Sequence, residues 1–146
     1  CNLKVISLLA NILARQQAVD AGCAEALLIR DGFLKEGAAS NIFVVKDRVL
    51  LAPPKTSFML PGITYDIVLE LAAGHGQPLE IREIHENELH AADEVWMTSS
   101  TKEVLAITTL DGKPVGSGAN AGKPGPAGER MWQWYQDFKN TIMRKG

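Results

Sequence analysis

Two apolar runs separated by three polar residues constrain this chain more than any other feature of its sequence. Ile42-Phe43-Val44-Val45 and Val49-Leu50-Leu51 flank Lys46-Asp47-Arg48, and Pro53-Pro54 closes the second run. β-Branched and aromatic residues around a short polar break spell a β-hairpin. Neither run alternates polar with apolar, so each strand is expected to be covered on both faces and the hairpin to sit centrally. Just before it, Glu36 leads into Gly37-Ala38-Ala39-Ser40-Asn41, a stretch of small side chains beside a carboxylate. Small residues let another group approach the backbone closely. Taken alone, the same stretch also reads as a plain strand-turn-strand with a solvated glutamate.

The flanking sequence supplies more strands, three longer helices and a short one. Val5, Leu8, Leu9, Ile12, Leu13 and Val19 have the spacing of an amphipathic helix over residues 3–21, with Gly22 as its stop. Ala26-Leu27-Leu28-Ile29 reads as a buried strand, turned by Asp31-Gly32 into Phe33-Leu34. Pro61-Gly62-Ile63-Thr64 opens a helix carrying Ile67, Val68, Leu71 and Ala72, with Gly74 and Gly76 at its end and Thr64 at or near the N-cap. A capping threonine also stands beside free backbone N–H groups, which suit an anion. Leu79–Ile84 mixes apolar Leu79, Ile81 and Ile84 with charged residues and reads as one half-buried strand, followed by a short helix around Asn87–Ala92. Glu94–Thr98 and Val104–Leu110 predict two further strands. The first of them runs into Thr98-Ser99-Ser100-Thr101, hydroxyls that either cap a turn or meet a phosphate. Residues 116–128 form a glycine- and proline-rich loop. Met131, Trp134, Tyr135, Phe138 and Ile142 then share one face of a final helix, a packing stripe.

Composition narrows the function classes. With 146 residues, 46% of them hydrophobic, the chain can build one core; a domain of this size buries roughly 70% of its unfolded surface. Fifteen basic and 17 acidic residues are interspersed to a net charge of −2, with no basic stripe for nucleic acid or an anionic membrane. No apolar run approaches the ~18 residues of a membrane span. Two cysteines make no disulfide framework, so a reducing cytoplasm is expected. Gly122-Lys123 lacks the rest of a P-loop, and His85 and His90 are five apart rather than four, so neither a nucleotide loop nor a zinc helix is expected. A chain beginning at Cys1 rather than Met is expected to be a piece of something longer.

Five segments in order give the chain a family likeness. NLKVISLLANILARQQAVDAG, EALLIRDGFLKEGAASNIFVVKD, LAPPKTSFMLPGIT, AADEVWMTSSTKEVLAI and KPGP resemble successive motifs of the fold-type IV (class IV) pyridoxal-phosphate aminotransferases. The resemblance implies an α+β fold, the larger C-terminal domain of that family, with mixed β-sheets forming a pseudobarrel flanked by helices. It assigns residues 1–146 to cofactor binding and leaves the smaller N-terminal domain outside this chain. It implies pyridoxal 5′-phosphate as cofactor, amino acid and 2-oxo acid as substrates, and a homodimeric parent. Lys4 would be the Schiff-base lysine that also shuttles a proton, and Glu36 would face the pyridine nitrogen. Leu60 would pack on the ring. Gly62, Ile63, Thr64, Ser99 and Ser100 would hold the phosphate, and Ser40 and Asn41 would line the site. The TSST strand end and the Cys-Asn-Leu-Lys start resemble D-amino-acid aminotransferases more than branched-chain ones. Aminodeoxychorismate lyase shares the fold and is the next reading; a non-catalytic interaction domain is the reading from another class. Two departures stand out: Tyr65 replaces a frequent arginine, and Arg48 occupies a turn position often held by glycine.

Overall fold

The computed structural model describes residues 4–7, 26–37, 41–54, 63–99, 103–110, 113–116 and 121–141, with residues 4–7, 26, 36, 37, 63 and 99 described through the backbone alone. In chain order the elements are β1 (Lys4–Ser7), β2 (Ala26–Arg30), β3 (Phe33–Gly37), β4 (Asn41–Lys46), β5 (Val49–Ala52), α1 (Ile63–Gly74), β6 (Leu79–Ile81), β7 (Ile84–His85), α2 (Glu86–His90), β8 (Glu94–Ser99), β9 (Glu103–Ile107), β10 (Thr109–Leu110), β11 (Lys113–Pro114) and α3 (Pro126–Thr141). They form a four-stranded sheet β1-β2-β3-β7, a five-stranded sheet β6-β5-β4-β8-β9 and the small pair β10-β11.

The central hairpin is β4–β5, in the interior of the five-stranded sheet, and its lack of alternation now has a cause. Ile42, Val44, Leu51, Val95, Met97 and Ile107 pack with Leu27, Ile29, Leu34 and Ile84 of the four-stranded sheet. Their alternates Phe43, Val45, Leu50, Ala52, Trp96 and Val104 pack with Tyr65, Val68 and Ala72 of α1 and Ala127, Met131 and Tyr135 of α3. Sheet, sheet and helices thus make three layers with two apolar cores, and the middle sheet must be apolar on both sides.

The two short hairpins close through two-residue turns in left-handed conformation, Asp31-Gly32 (φ 53° and 82°) and Asp47-Arg48 (φ 51° and 68°). Such turns match the twist of the strands they join. Arg48 therefore carries the strain expected for a side chain at that position, roughly 1–2 kcal/mol relative to glycine. The turn is held by Asp47 N–H donating to Asp93 Oδ2 (2.9 Å) and by Gln77 Nε2 donating to the Arg48 carbonyl (2.9 Å).

Four expectations are corrected. Lys4–Ser7 is a strand rather than the start of a helix over 3–21: it runs parallel to β2, with Lys4 opposite Ala26 and Ser7 opposite Ile29. The β-branched pair Val5-Ile6 gains a sheet partner, and that long-range pairing overrides the helical spacing to which Val5 contributed. The rest of that expected helix lies outside the described residues. Leu79–Ile84 is two strands in two sheets. β6 pairs in parallel with β5, while β7 pairs antiparallel with β3. The polar pair Arg82-Glu83 interrupts the alternation where the chain changes sheets; Ile81 is 55% exposed and Ile84 fully buried. The strand expected over 104–110 ends at Ile107, because Val115 N–H donates to the Thr108 carbonyl and Thr109-Leu110 pair with β11. Finally, α3 starts at Pro126 rather than Met131. Proline suits a first helical turn, and the Glu94 carboxylate caps it, accepting from Ala127 N–H (3.1 Å) and Gly128 N–H (2.8 Å).

Candidate functional site

One end of the two larger sheets gathers the chemically distinctive positions. In the four-stranded sheet Lys4 starts β1 beside Ala26, and Glu36 lies opposite Leu28 near the end of β3. A register irregularity between Leu28 and Ile29 pairs Leu34 with Ile29, so Lys35 is the extra residue between positions 34 and 36. Bulges of this kind reset which residues line up across a ladder. Lys4 and Glu36 flank β2 on either side, two strand spacings apart and staggered by two residues, which sets their Cα atoms roughly 12 Å apart.

In the five-stranded sheet the same end holds Asn41, the first residue of β4, and Thr98 and Ser99, the last two of β8. Asn41 is the register partner of Thr98. Both are buried, at 6% and 0% exposure. Yet among the described residues Asn41 Oδ1 and Thr98 Oγ1 have no hydrogen-bond partner. A buried polar atom left this way costs about 1–3 kcal/mol, so two side by side ask for a polar ligand. Sequence reasoning passes over Thr98 as a β-forming residue; its one signal is the place at the head of the hydroxyl run.

The start of α1 approaches this end through Tyr65. Its hydroxyl donates to the Pro53 carbonyl at 2.7 Å, and its ring stacks on Phe43 with centroids 5.3 Å apart. Burial, with Asp66 adding a smaller push, raises the Tyr65 phenol above its ordinary pKa, so it stays a neutral donor. The residue that departs from the family pattern is thus the bolt between α1 and the end of β5. Thr64, expected at or near the N-cap, is buried as the second helical residue. Its N–H is among the first four of the helix, which have no acceptor within it. Leu60, Gly62, Ser40 and Ser100 lie outside the described residues, and Ile63 and Ser99 are placed only by backbone, at the first position of α1 and the last of β8.

Away from this end, His85 Nδ1 accepts from Asn87 N–H at the start of α2. Among the described residues no group of His, Cys, Asp or Glu could hold a metal ion, and no helix is long and apolar enough to cross a membrane.

Known proteins share this arrangement. A family profile described as amino-transferase class IV matches residues 1–110. The chain is 43% identical over 126 residues to a D-alanine aminotransferase of Bacillus licheniformis, covering 86% of this chain and 43% of that protein. It is 38% identical over 129 residues to a branched-chain-amino-acid aminotransferase of Pseudomonas aeruginosa, covering 88% and 40%. Among solved structures, the branched-chain amino acid aminotransferase of Escherichia coli superposes with a TM-score of 0.85 at 30% identity, over 93% of this chain and 50% of that one. A branched-chain aminotransferase of the archaeon Thermoproteus uzoniensis, solved with norvaline, superposes at 0.84 with 27% identity and covers 94% and 50%. The chain spans half or less of the length of each of these relatives. With a mixed-sheet fold of this topology and a profile match over most of its length, the chain belongs to the class IV amino-transferase family.

Proposed function

We propose that this chain is the cofactor-binding part of a pyridoxal-phosphate-dependent aminotransferase, a homodimer in its longer form, which moves an amino group from an alanine-type D-amino acid to a 2-oxo acid. The observation that carries the reading is the meeting of Lys4, Glu36, Asn41, Thr98 and the α1 N-terminus at one end of the sheets in a chain of this family. Among the described residues the Thr98 hydroxyl lacks a partner and Thr64 stands in the first α1 turn, which together suit a phosphate, while Asn41 Oδ1, an acceptor, suits an N–H or O–H donor on the same ligand. Pyridoxal phosphate, when bound, supplies an electron sink for the charge left on the substrate when its Cα proton is removed.

The chain's own residues do the rest. Lys4 would attach the cofactor and would be the base that moves the substrate's Cα proton; a neutral amine is needed for both, and apolar surroundings favour it. Glu36 would hold a proton on the ring nitrogen by its negative charge. Thr64 N–H, with Ile63, Gly62, Ser99 and Ser100, holds the phosphate, Leu60 packs on the ring, and Ser40 and Asn41 line the wall.

Supporting the D-amino-acid reading are the TSST strand end and the Bacillus relative's identity. A branched-chain substrate is the second reading, favoured by the two solved structures described above. The test is stopped-flow of the full-length protein with D-alanine and with L-leucine, in wild type and Glu36→Gln. Losing the charge-assisted contact, worth about 1.5–3 kcal/mol, should slow proton abstraction about ten- to a hundredfold while leaving cofactor attachment at Lys4 intact. Equal rates in the two proteins would remove Glu36 from this role. Turnover of L-leucine but not D-alanine would select the second reading. Pyruvate release without amine transfer would indicate a lyase, and failure to bind cofactor would indicate an interaction domain.

A further inference from the structure

The opposite end of the five-stranded sheet holds a cleft of about 660 Å³, some four residues, or roughly 13 Å, along β4 from Asn41. Three of its lining residues are cationic and come from three different elements: Arg48 from the β4–β5 turn, Lys123 from the loop before α3, and Arg130 from the first turns of α3. Two carboxylates also line it, but both are already engaged. Glu94 accepts from Ala127 N–H, Gly128 N–H and Trp96 Nε1. Asp93 Oδ2 accepts from Asp47 N–H. Among the described residues no ion pair engages Arg48, Lys123 or Arg130. Both carboxylates keep their charge but are occupied by neutral N–H donors, so the cleft carries three cations against two carboxylates and its cations have no ion-pair partner among the described residues. Arg48 is also the strained one, at φ 68° in a turn that glycine would occupy without cost. An outlier of this kind points to a use for the side chain rather than to stability.

We propose that this cleft binds a small, multiply charged oxyanion, a second ligand site beyond the cofactor end. Guanidinium forks match phosphoryl and carboxylate oxygens alike, so the shared chemistry is a compact polyanion; a phosphoric anhydride and a tricarboxylate are its two sources. The site does not depend on the aminotransferase reading. It is tested on the full-length protein saturated with pyridoxal phosphate, so that the cofactor's phosphate position is filled. Titration calorimetry is run with pyrophosphate and, separately, with citrate. Wild type should bind at least one of them, with affinity falling as salt is added. Arg48→Gly and Arg130→Gln should each weaken binding about tenfold or more, while Arg48→Lys retains part of it. Because Arg48→Gly suits the left-handed turn, its melting temperature should not fall, which separates lost binding from lost folding. Binding of pyrophosphate alone or citrate alone identifies the ligand class. No heat with either anion at millimolar concentration, or unchanged affinity in both charge-removing variants, overturns the proposal.

Discussion

Strand β8 carries a buried polar side chain near each end, and the protein treats the two in opposite ways. Glu94, at the start, is 8% exposed and receives three hydrogen bonds, two from the α3 backbone and one from Trp96 Nε1 at 3.2 Å. Space is cleared for it: a Cβ on Gly125 would collide with its Cδ, and one on Gly128 would come within 2.7 Å of Trp96 Nε1. Thr98, four residues on, is fully buried, and its hydroxyl oxygen has no partner, nor does the Oδ1 of its register partner Asn41. A satisfied buried carboxylate is a construction joint. A pair of unsatisfied buried polar atoms is a defect unless something else binds there. The fold satisfies the buried polar side chain at one end of β8 by itself and leaves the one at the other end to be completed.

The contrast can be broken most directly at its satisfied end. Glu94→Ala strands three buried N–H donors, so the protein should lose about 3–5 kcal/mol in urea unfolding; a loss under about 1 kcal/mol would mean the joint bears little. At the open end Thr98→Val should do the reverse. It removes an unpaired hydroxyl, so the cofactor-free protein should be as stable as wild type or up to about 1 kcal/mol more stable, while pyridoxal phosphate binding weakens about tenfold. A destabilisation matching that of Glu94→Ala would erase the distinction between the ends. Tyr65→Phe tests how the open end is braced: it leaves the Pro53 carbonyl without its donor and should cost about 1 kcal/mol, read by the same unfolding curves.

The smallest effect belongs to a surface network outside both ends. Arg82 donates to Glu88 Oε2 at 2.7 Å and to Glu80 Oε2 at 3.2 Å. The bond from Arg82 holds the Glu88 carboxyl below its ordinary pKa. Since the folded pKa is the lower one, its contribution is present above the unfolded value and fades as pH falls through the folded value. Both side chains are well exposed, so Glu88→Gln should cost less than about 1 kcal/mol at neutral pH and nothing in strong acid. A constant difference across that range would assign the effect to something other than charge.

What can be read from the sequence follows from which forces are local. Asp31-Gly32 and the three-residue break at Lys46–Arg48 announce their hairpins because turn geometry is decided by adjacent residues. The doubly apolar runs announce a covered sheet for the same reason. The switch between Ile81 and Ile84 leaves only the polar pair Arg82-Glu83 as a trace, which a bulge or a turn would leave as well, and only distant pairing decides. Lys4–Ser7 reads as helix because four strand residues cannot outweigh a long helical pattern behind them. At the site, Glu36 and Lys4 are legible only through their resemblance to family motifs; charge and spacing alone leave Glu36 a solvated strand residue. Thr98 is invisible in its role, because an orphaned hydroxyl is defined by partners it lacks, and a sequence does not show them.

The parallel pairing of β1 has a kinetic consequence. The β2–β3 and β4–β5 hairpins join neighbours through two residues, whereas Lys4 meets Ala26 only after some twenty intervening residues have been gathered in. Closing the longer loop costs about 2 kcal/mol more chain entropy, and among the described strands β1 sits at the edge of its sheet, tied on one side only. The segment that bears the lysine is therefore expected to dock last during folding and to peel away first on warming. Amides of Val5 to Ser7 should exchange with solvent ahead of those in β4 and β8, and, with Lys4 holding the cofactor as proposed, a heated sample should shed it while β4 and β8 are still paired.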